Sequence, residues 1–530
     1  MRKQLVGLIC GVFFFGRTVA ACPEPLLLPQ PPIPVTNYPT ALALGDLDGD
    51  GDLDLVIGDS TQNITNDAIV TRPGDGKGAF GVPTSYVAGD GIDSIVLADL
   101  DGDGDLDIAS ANDGSASVSV LLGHGDGGFD PSKAYYAGAN PYSIVTGDFD
   151  EDGHLDIAVA NFFNASVSIL LGDGAGGFGP PQSFPVGNYP ISLAVGDVNG
   201  DGHLDVAVAR AYVDYDVALF AGDGHGTFSY LAKTITLGYD LRSIALVDLD
   251  DDSTLDLVAV DAFWPAPPAV KILQGAGNGE FFWGSSVPVG GQPIGLGVAD
   301  LTADGFLDIV TANYDGNSLS VLVGDGHLGF DHRFDFPTTG PVGLALADAD
   351  GNGSPDVFTT NYYQQHVSSF LNGCEANRPP NCSEAAPSVS SLWPPNHAMT
   401  PVEIDGVTDP DGDPVEVRAT AVTQDEPLGG ETHCEDAAIS SGGEVTLRAE
   451  RVGSGNGRVY AVSFEATDGK GGSCEGRVSV CVPHDEPGGA CEDDGQAVSS
   501  LGPCRPALGP APASPRIATK PRAPRFAPRR

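Results

Sequence analysis

DLDGDGDLD, Asp99 to Asp107, sets Asp99, Asp101, Asp103 and Asp107 at positions 1, 3, 5 and 9 of a short stretch with Gly104 at position 6. Alternate carboxylates on a chain bent at glycine can converge on one point. Four anions held so close repel one another unless a cation lies between them. A hard, oxygen-seeking ion taking about 6–8 ligands at roughly 2.3–2.6 Å is calcium. A single copy could equally be a solvated turn, but the register returns along the chain. It is seen at Asp46, Asp48, Asp50 and Asp54, and at Asp148, Asp150, Asp152 and Asp156. Asp197, Asn199, Asp201 and Asp205 repeat it, as do Asp248, Asp250, Asp252 and Asp256. Asp300, Thr302, Asp304 and Asp308 follow, then Asp348, Asp350, Asn352 and Asp356. The first aspartates are 48 to 53 residues apart, a period that marks a propeller, solenoid or array.

Working outward, one period reads best from Asn140 to Asn188. PYSIVTGD runs into the acidic loop, LDIAVAN leaves it, SVSILLGDG follows a variable loop, and SFPVG comes after a glycine-rich hairpin ending on Phe178. Four short strands with glycine turns fit an antiparallel blade. Unbroken apolar runs such as IAVA predict strands buried on both faces, and seven blades would close a ring without open edges. An EF-hand shares the Asp-x-Asp-x-Asp-Gly start but needs a glutamate at position 12 and flanking helices. Here position 9 is Asp and β-like runs follow.

The formal net charge is −47, which argues against nucleic acid as a partner, since a phosphate binder needs a basic face. Residues 1–21 read as a secretory signal: Arg2 and Lys3, an apolar run too short to span a bilayer, then Thr18-Val19-Ala20 as a cleavage site. No other segment is apolar enough to cross a membrane, so the expectation is a protein secreted or held at the cell surface. Val19 to Cys22 also resembles a bacterial lipobox, which would lipidate Cys22. The competing reading is that Cys22, Cys374, Cys382, Cys434, Cys474, Cys481, Cys491 and Cys504 all pair.

LGDGAGGF together with Asp-x-Asp-x-Asp-Gly-x-x-Asp resembles the FG-GAP/VCBS repeat family, the repeat of the integrin α-subunit propeller. The likeness runs from about Ile33 to Gly373. It implies an all-β, seven-bladed propeller over residues 22–374 whose loops bind up to seven structural calcium ions through side chains at positions 1, 3, 5 and 9 and the carbonyl at 7. His154 and His203, at position 7, would then offer backbone oxygen and turn their rings away. Thr302 predicts a weaker sixth site. Asn199 and Asn352 lose charge, Ser253 replaces the loop glycine, and the hairpin is missing after Gly373. IPVTNYP, Ile33–Pro39, matches FPVGNYP, Phe184–Pro190, so the N-terminal segment is expected to supply the last blade's fourth strand. Aligning both ends to the third repeat sets Cys22 and Cys374 in one hairpin and predicts a disulfide between them.

Strand alternation puts the acidic loops and glycine hairpins on one face. The other carries Phe162, Phe163, Tyr212, Tyr215, Phe263, Trp264, Tyr314, Tyr362 and Tyr363 from one set of loops, and Tyr38, Tyr142, Tyr189 and Tyr239 from the turns between repeats. These rings either cap gaps between blades or form a recognition surface for a protein or glycan.

Residues 375–387 read as a linker and 388–484 as a β-sandwich resembling Ig-like modules of the hyalin-repeat or cadherin-like kind. Its Asp411 and Asp413 are either a plain turn or one more calcium site. Residues 485–530 are Pro- and Arg-rich and predict a disordered tail. No nucleophile–base pair or phosphate loop is recognisable. The expectation is a non-enzymatic, calcium-binding protein of adhesion or recognition. The alternatives are a polysaccharide lyase or hydrolase on a propeller, and a purely structural surface protein.

Overall fold

The computed structural model describes residues 22, 24–61, 67–238, 240–262, 267–374, 380–396, 398–410, 414–424, 436–440, 442–449, 458–468, 472–483, 491 and 498–499. The signal segment, Tyr239, Phe263, Trp264, Asp411, Asp413, Cys434 and almost all of the tail lie outside these residues. The chain divides into two compact units, Met1–Asn377 and Arg378–Arg530.

The first unit is built from repeated four-stranded antiparallel sheets. The third is typical: Pro141–Gly147, Asp156–Asn161, Ser166–Leu170 and Gln182–Pro185. The second strands are buried along their whole length, as the IAVA runs predict, except at Arg210 in the fourth sheet. Apolar clusters fill the spaces between consecutive sheets: Val96, Ala109 and Val118 of the second meet Ile144, Ile157 and Leu170 of the third. Burying one such side chain contributes about 1.5–3 kcal/mol. The first strand of each sheet packs against the first strand of the next, and Pro341–Ala347 returns to Tyr38–Gly45. The first strands of the repeated sheets therefore lie innermost, a β-propeller arrangement. The only helical element among the described residues is the short 3-10 turn Tyr362–Gln364.

Closure uses the N-terminal segment. Ile33 pairs with Val367 and Pro34 with His366, as Phe184 pairs with Val167 and Pro185 with Ser166 in the third sheet. The pairing reaches further than the sequence match, since Leu27–Pro29 joins Phe370–Asn372. Cys22 and Cys374 form a disulfide. The reason they sit where a hairpin would be is visible in the neighbouring contacts. Elsewhere the glycine hairpin of one sheet donates to the acidic loop of the preceding sheet, as from Gly226 N to Phe149 O at 2.9 Å and from Gly127 N to Leu47 O at 2.9 Å. At the seventh sheet Asn372 Nδ2 donates to Leu301 O at 2.9 Å and Cys22 N to Thr302 O at 3.0 Å.

Each innermost strand slips register near its start. The breaks fall between Pro39 and Ala41, Ile92 and Ser94, Pro141 and Ser143, and Pro190 and Ser192. They continue between Leu241 and Ile244, Pro293 and Gly295, and Pro341 and Leu344. A bulge leaves one residue unpaired and re-aims its side chain.

In the second unit, Glu416–Gln424, Arg458–Thr467 and Ser473–Val482 form the main sheet, joined by Val498–Ser499. Met399–Val402, Val445–Arg448 and Ala437–Ile439 form a smaller one. Their apolar sides share a core around Leu447, Tyr460, Phe464 and Val480. Arg458 is fully buried and pairs with Asp436 at 2.8 Å. VSSLW forms no strand; only Ser391 bridges Cys481. The stretch read as a linker is partly built into this unit. Asn381 bridges Thr408, Ala386–Pro387 pairs with Ile404–Asp405, and Cys382 is bonded to Cys474. A second disulfide joins Cys481 to Cys491. The three disulfides among the described residues fit an oxidising, extracellular environment. No helix among the described residues is long and apolar enough to cross a membrane.

Candidate metal centres

The acidic loops join the first and second strands of each sheet and are shaped by their own carboxylates. The position 1 aspartate accepts the amide of position 6 in all seven loops, at 2.7–3.1 Å. That position has positive φ, 92° at Gly51 and 99° at Gly104, so Ser253, at 70°, holds a conformation that favours glycine. The position 5 oxygen accepts the amide of position 7, as from Asp105 N to Asp103 and from His154 N to Asp152, both at 2.9 Å.

Five loops bring three carboxylates together, with one oxygen of each lying within 4.8 Å of the others. The groups are Asp46, Asp48 and Asp50; Asp99, Asp101 and Asp107; Asp148, Asp150 and Asp156; Asp248, Asp250 and Asp256; and Asp348, Asp350 and Asp356. Asp54 stays outside the first group, and Asp103, Asp152 and Asp252 outside the others. The loops at Asp197, Asp201 and Asp205 and at Asp300, Asp304 and Asp308 form no such triad, because Asn199 and Thr302 stand at position 3. Asn199 Nδ2 is drawn to Asp205 at 3.3 Å. Asp148 Oδ1, Asp250 Oδ1 and Thr302 Oγ1 are buried without a hydrogen-bond partner. Converging hard oxygens and orphaned buried acceptors fit a divalent cation with oxygen preference. The His203 ring turns to Glu151 of the preceding loop, with Nδ1 2.6 Å from Oε1, and this contact raises its pKa.

Position 9 does something the spacing alone does not reveal. In every loop its Oδ2 accepts the amide of position 2, and its Oδ1 accepts an amide at the end of the third strand, all at 2.7–3.0 Å. For Asp156 the donors are Phe149 N and Gly172 N. The carboxylate therefore pins the acidic loop to the glycine hairpin of the same sheet.

Burial dominates these groups and raises their pKa despite the two amides. Asp107, Asp156, Asp205 and Asp256 are pushed up to about 6, and Asp308 and Asp356 to about 7. The other loop carboxylates add to the rise. In the ion-free protein the folded state thus binds protons more tightly than the unfolded chain. That stabilisation is complete below the ordinary carboxylate pKa of about 4 and is lost as pH rises through 6–7. Ion-free protein is expected to melt several degrees higher at pH 5 than at pH 7.5, with calcium removing most of the difference by supplying the missing charge at pH 7.5. A melting temperature that rises from pH 5 to pH 7.5 after exhaustive desalting would contradict this.

The loops that carry this geometry coincide with a known repeat. The FG-GAP-like repeat matches residues 46–110, 99–159, 148–208, 198–259 and 300–359, just over half of the chain. The chain belongs to the FG-GAP-like repeat family. No curated protein matches the sequence. Among solved structures, a provisionally named 6-phosphogluconolactonase of Bacteroides uniformis shares 15% identity over 58% of this chain and 89% of its own, with a TM-score of 0.46. The periplasmic gluconolactonase of Pseudomonas aeruginosa shares 16% over 58% of this chain and 86% of its own, with a TM-score of 0.43.

At the other end of the FG-GAP-like strands the aromatic side chains form two groups. Phe162 contacts Tyr142, Phe163, Tyr189 and Tyr212, with ring centres 5.0–6.0 Å apart. Tyr38, Tyr362, Tyr363 and Tyr314 form a second chain. The rings differ in burial. Phe162, Tyr189 and Tyr362 are half-buried fillers, whereas Phe163 and Tyr363 are 67% and 63% exposed. Tyr215 is half-buried.

Between the two groups the bulged residues Thr40, Asp93, Tyr142, Ile191, Arg242 and Ile294 line a cavity of about 340 Å³ around the innermost strands. Sequence reasoning passed over all of these except Tyr142. They stand one to a sheet, about 50 residues apart, and differ in type, so no motif connects them.

Proposed function

We propose that the chain is an exported, integrin-like seven-bladed FG-GAP propeller stabilised by calcium and followed by an Ig-like sandwich, acting without catalysis in adhesion or recognition. The observation that carries this reading is the segregation of its chemistry. Carboxylates gather in loops at one end of the strands and exposed aromatic rings at the other. In four of the triad loops the aspartates at positions 1, 3 and 9 would hold the ion, and in the first loop Asp46, Asp48 and Asp50 would do so. Calcium supplies positive charge there and so relieves repulsion between the carboxylates. Extracellular calcium modules bind at about 10⁻⁴–10⁻³ M, so millimolar calcium stabilises each site by roughly 0.5–1.5 kcal/mol. Several sites together approach the net stability of a domain.

Phe163 offers apolar contact area, and Tyr212 and Tyr363 add a polar tip, a combination suited to a glycan or a protein surface. The test is binding to glycan and extracellular-protein arrays with and without chelator, beside melting curves in both conditions. Chelation is expected to lower the melting temperature and to weaken any binding only as the fold loosens. An unchanged melting temperature would remove the structural role of calcium. Arrays without a hit in either condition, or hits unaffected by Phe163→Ala and Tyr363→Ala, would remove the recognition role.

A further inference from the structure

The cavity among the innermost strands holds a group that nothing in the metal loops explains. Asp93 Oδ2 is buried without a hydrogen-bond partner. Desolvation raises its pKa well above the ordinary value, and the charge of Asp113 raises it further. Asp67 adds to the field on Asp113. Asp67 itself accepts only amides in the described contacts, from Thr61 N at 2.6 Å and Gly91 N at 2.6 Å. Asp93, Asp113 and Asp67 thus form an electrostatically linked series of carboxyl groups on this side. Arg242 enters from the fifth sheet; it pairs with Asp240 at 2.9 Å and donates to Tyr212 Oη at 3.1 Å, while its Nε is buried without a partner. The phenols of Tyr142 and Tyr362 lie within electrostatic reach of Asp93, whose charge contributes to raising both.

A buried carboxylate without a donor is costly, and a ligand that brings both donors and positive charge relieves it. An anionic ligand would meet Asp93. A neutral polyol could satisfy the oxygen but would gain little from the negative field. A cation gains from the field, from Asp93 and from the two tyrosines that line the cavity. We propose that this cavity binds an alkylammonium group, with the nitrogen on Asp93, the charge against Tyr142 and Tyr362, and the alkyl stem along Ile191 and Ile294. The group could be carried by a lysine side chain of a partner protein or by a free amine; the chemistry is shared. The site deepens the recognition reading by sharing its face, yet stands on separate residues.

The test is calorimetric or NMR titration of the full chain in calcium with n-butylammonium, and with n-butanol as the uncharged match. Saturable binding of butylammonium is expected, about tenfold or more tighter than that of butanol. Asp93→Asn keeps the shape and removes the charge. It is expected to abolish this preference while leaving the melting temperature unchanged or raised, since an unpaired buried carboxyl is lost. Butanol binding as tightly as butylammonium, or no saturable binding, overturns the proposal on native protein alone. Equal butylammonium affinity in Asp93→Asn overturns it as well. Peptides carrying lysine or Nε-acetyl-lysine separate the sources: a lysine peptide that outbinds both butylammonium and its acetylated form points to a protein partner, and butylammonium binding alone to a free amine. A failed titration leaves array binding at Phe163 and Tyr363 to stand or fall separately, and empty arrays leave the titration readable.

Discussion

Asp156→Ala is expected to destabilise the first unit by roughly 2–5 kcal/mol whether or not calcium is present, because one buried and one part-buried amide lose their acceptor at about 1–3 kcal/mol each. The amides are those of Phe149 and Gly172, bonded to Asp156 at 2.8 Å each. Asp150→Ala should behave oppositely. Asp150 belongs to the same triad, but its bond in the fold is a long one of 3.3 Å from Asp152 N. Removing it should weaken one calcium site and cost little after chelation, where it also removes a repelling charge. Denaturation of both variants in calcium and in chelator separates the roles. If Asp156→Ala unfolds like the native protein in chelator, position 9 is a metal ligand and nothing more. If Asp150→Ala is as damaging as Asp156→Ala in chelator, the division of labour within the loop is wrong.

The second large effect is expected at the ring closure. The Cys22–Cys374 disulfide spans 352 residues, and chain-entropy models assign such a loop about 6 kcal/mol, less where native strain intervenes. Cys22→Ser with Cys374→Ser should therefore lower the stability of the first unit by roughly 3–5 kcal/mol. The loss should reach beyond the bond itself. Leu27, 5% exposed, packs with Leu301, Val357 and Phe370 between the sixth and seventh sheets, and Leu27–Pro29 is paired only to Phe370–Asn372. A freed end would expose that edge to proteolysis between Cys22 and Pro34. The control is Cys382→Ser with Cys474→Ser, a bond within the second unit, which should leave the first unit's transition in place. An unshifted transition in the closure variant would mean that strand pairing alone holds the ring. Mass spectrometry showing a diacylglyceryl group on Cys22 would exclude the bond.

Much of this was legible because repeats can be compared with one another inside one chain. The period exposed the acidic loops, and the match of Ile33–Pro39 to Phe184–Pro190 exposed the latch. The same alignment set Cys22 beside Cys374. Legibility failed where the partner is a backbone amide. Gly172 N carries no signal that it will meet Asp156, sixteen positions earlier in the chain. Asp54 shows the same limit. It matches Asp107 in spacing, yet the first triad uses Asp50 instead. In the second unit, Asn381–Pro387 looks like a linker by composition. Pairing with Ile404–Asp405 and a disulfide to Cys474 make it part of the unit.

The sequence by itself determined the repeat, the strands within it, the acidic loops and the way the ends meet, since each depends on residue type at fixed local spacing. Tertiary structure alone decided that position 9 ties loop to hairpin and that a buried aspartate faces a shared cavity. Those outcomes depend on which residues the closed ring brings together from separate sheets, and on bulges whose side chains have no common identity along the chain.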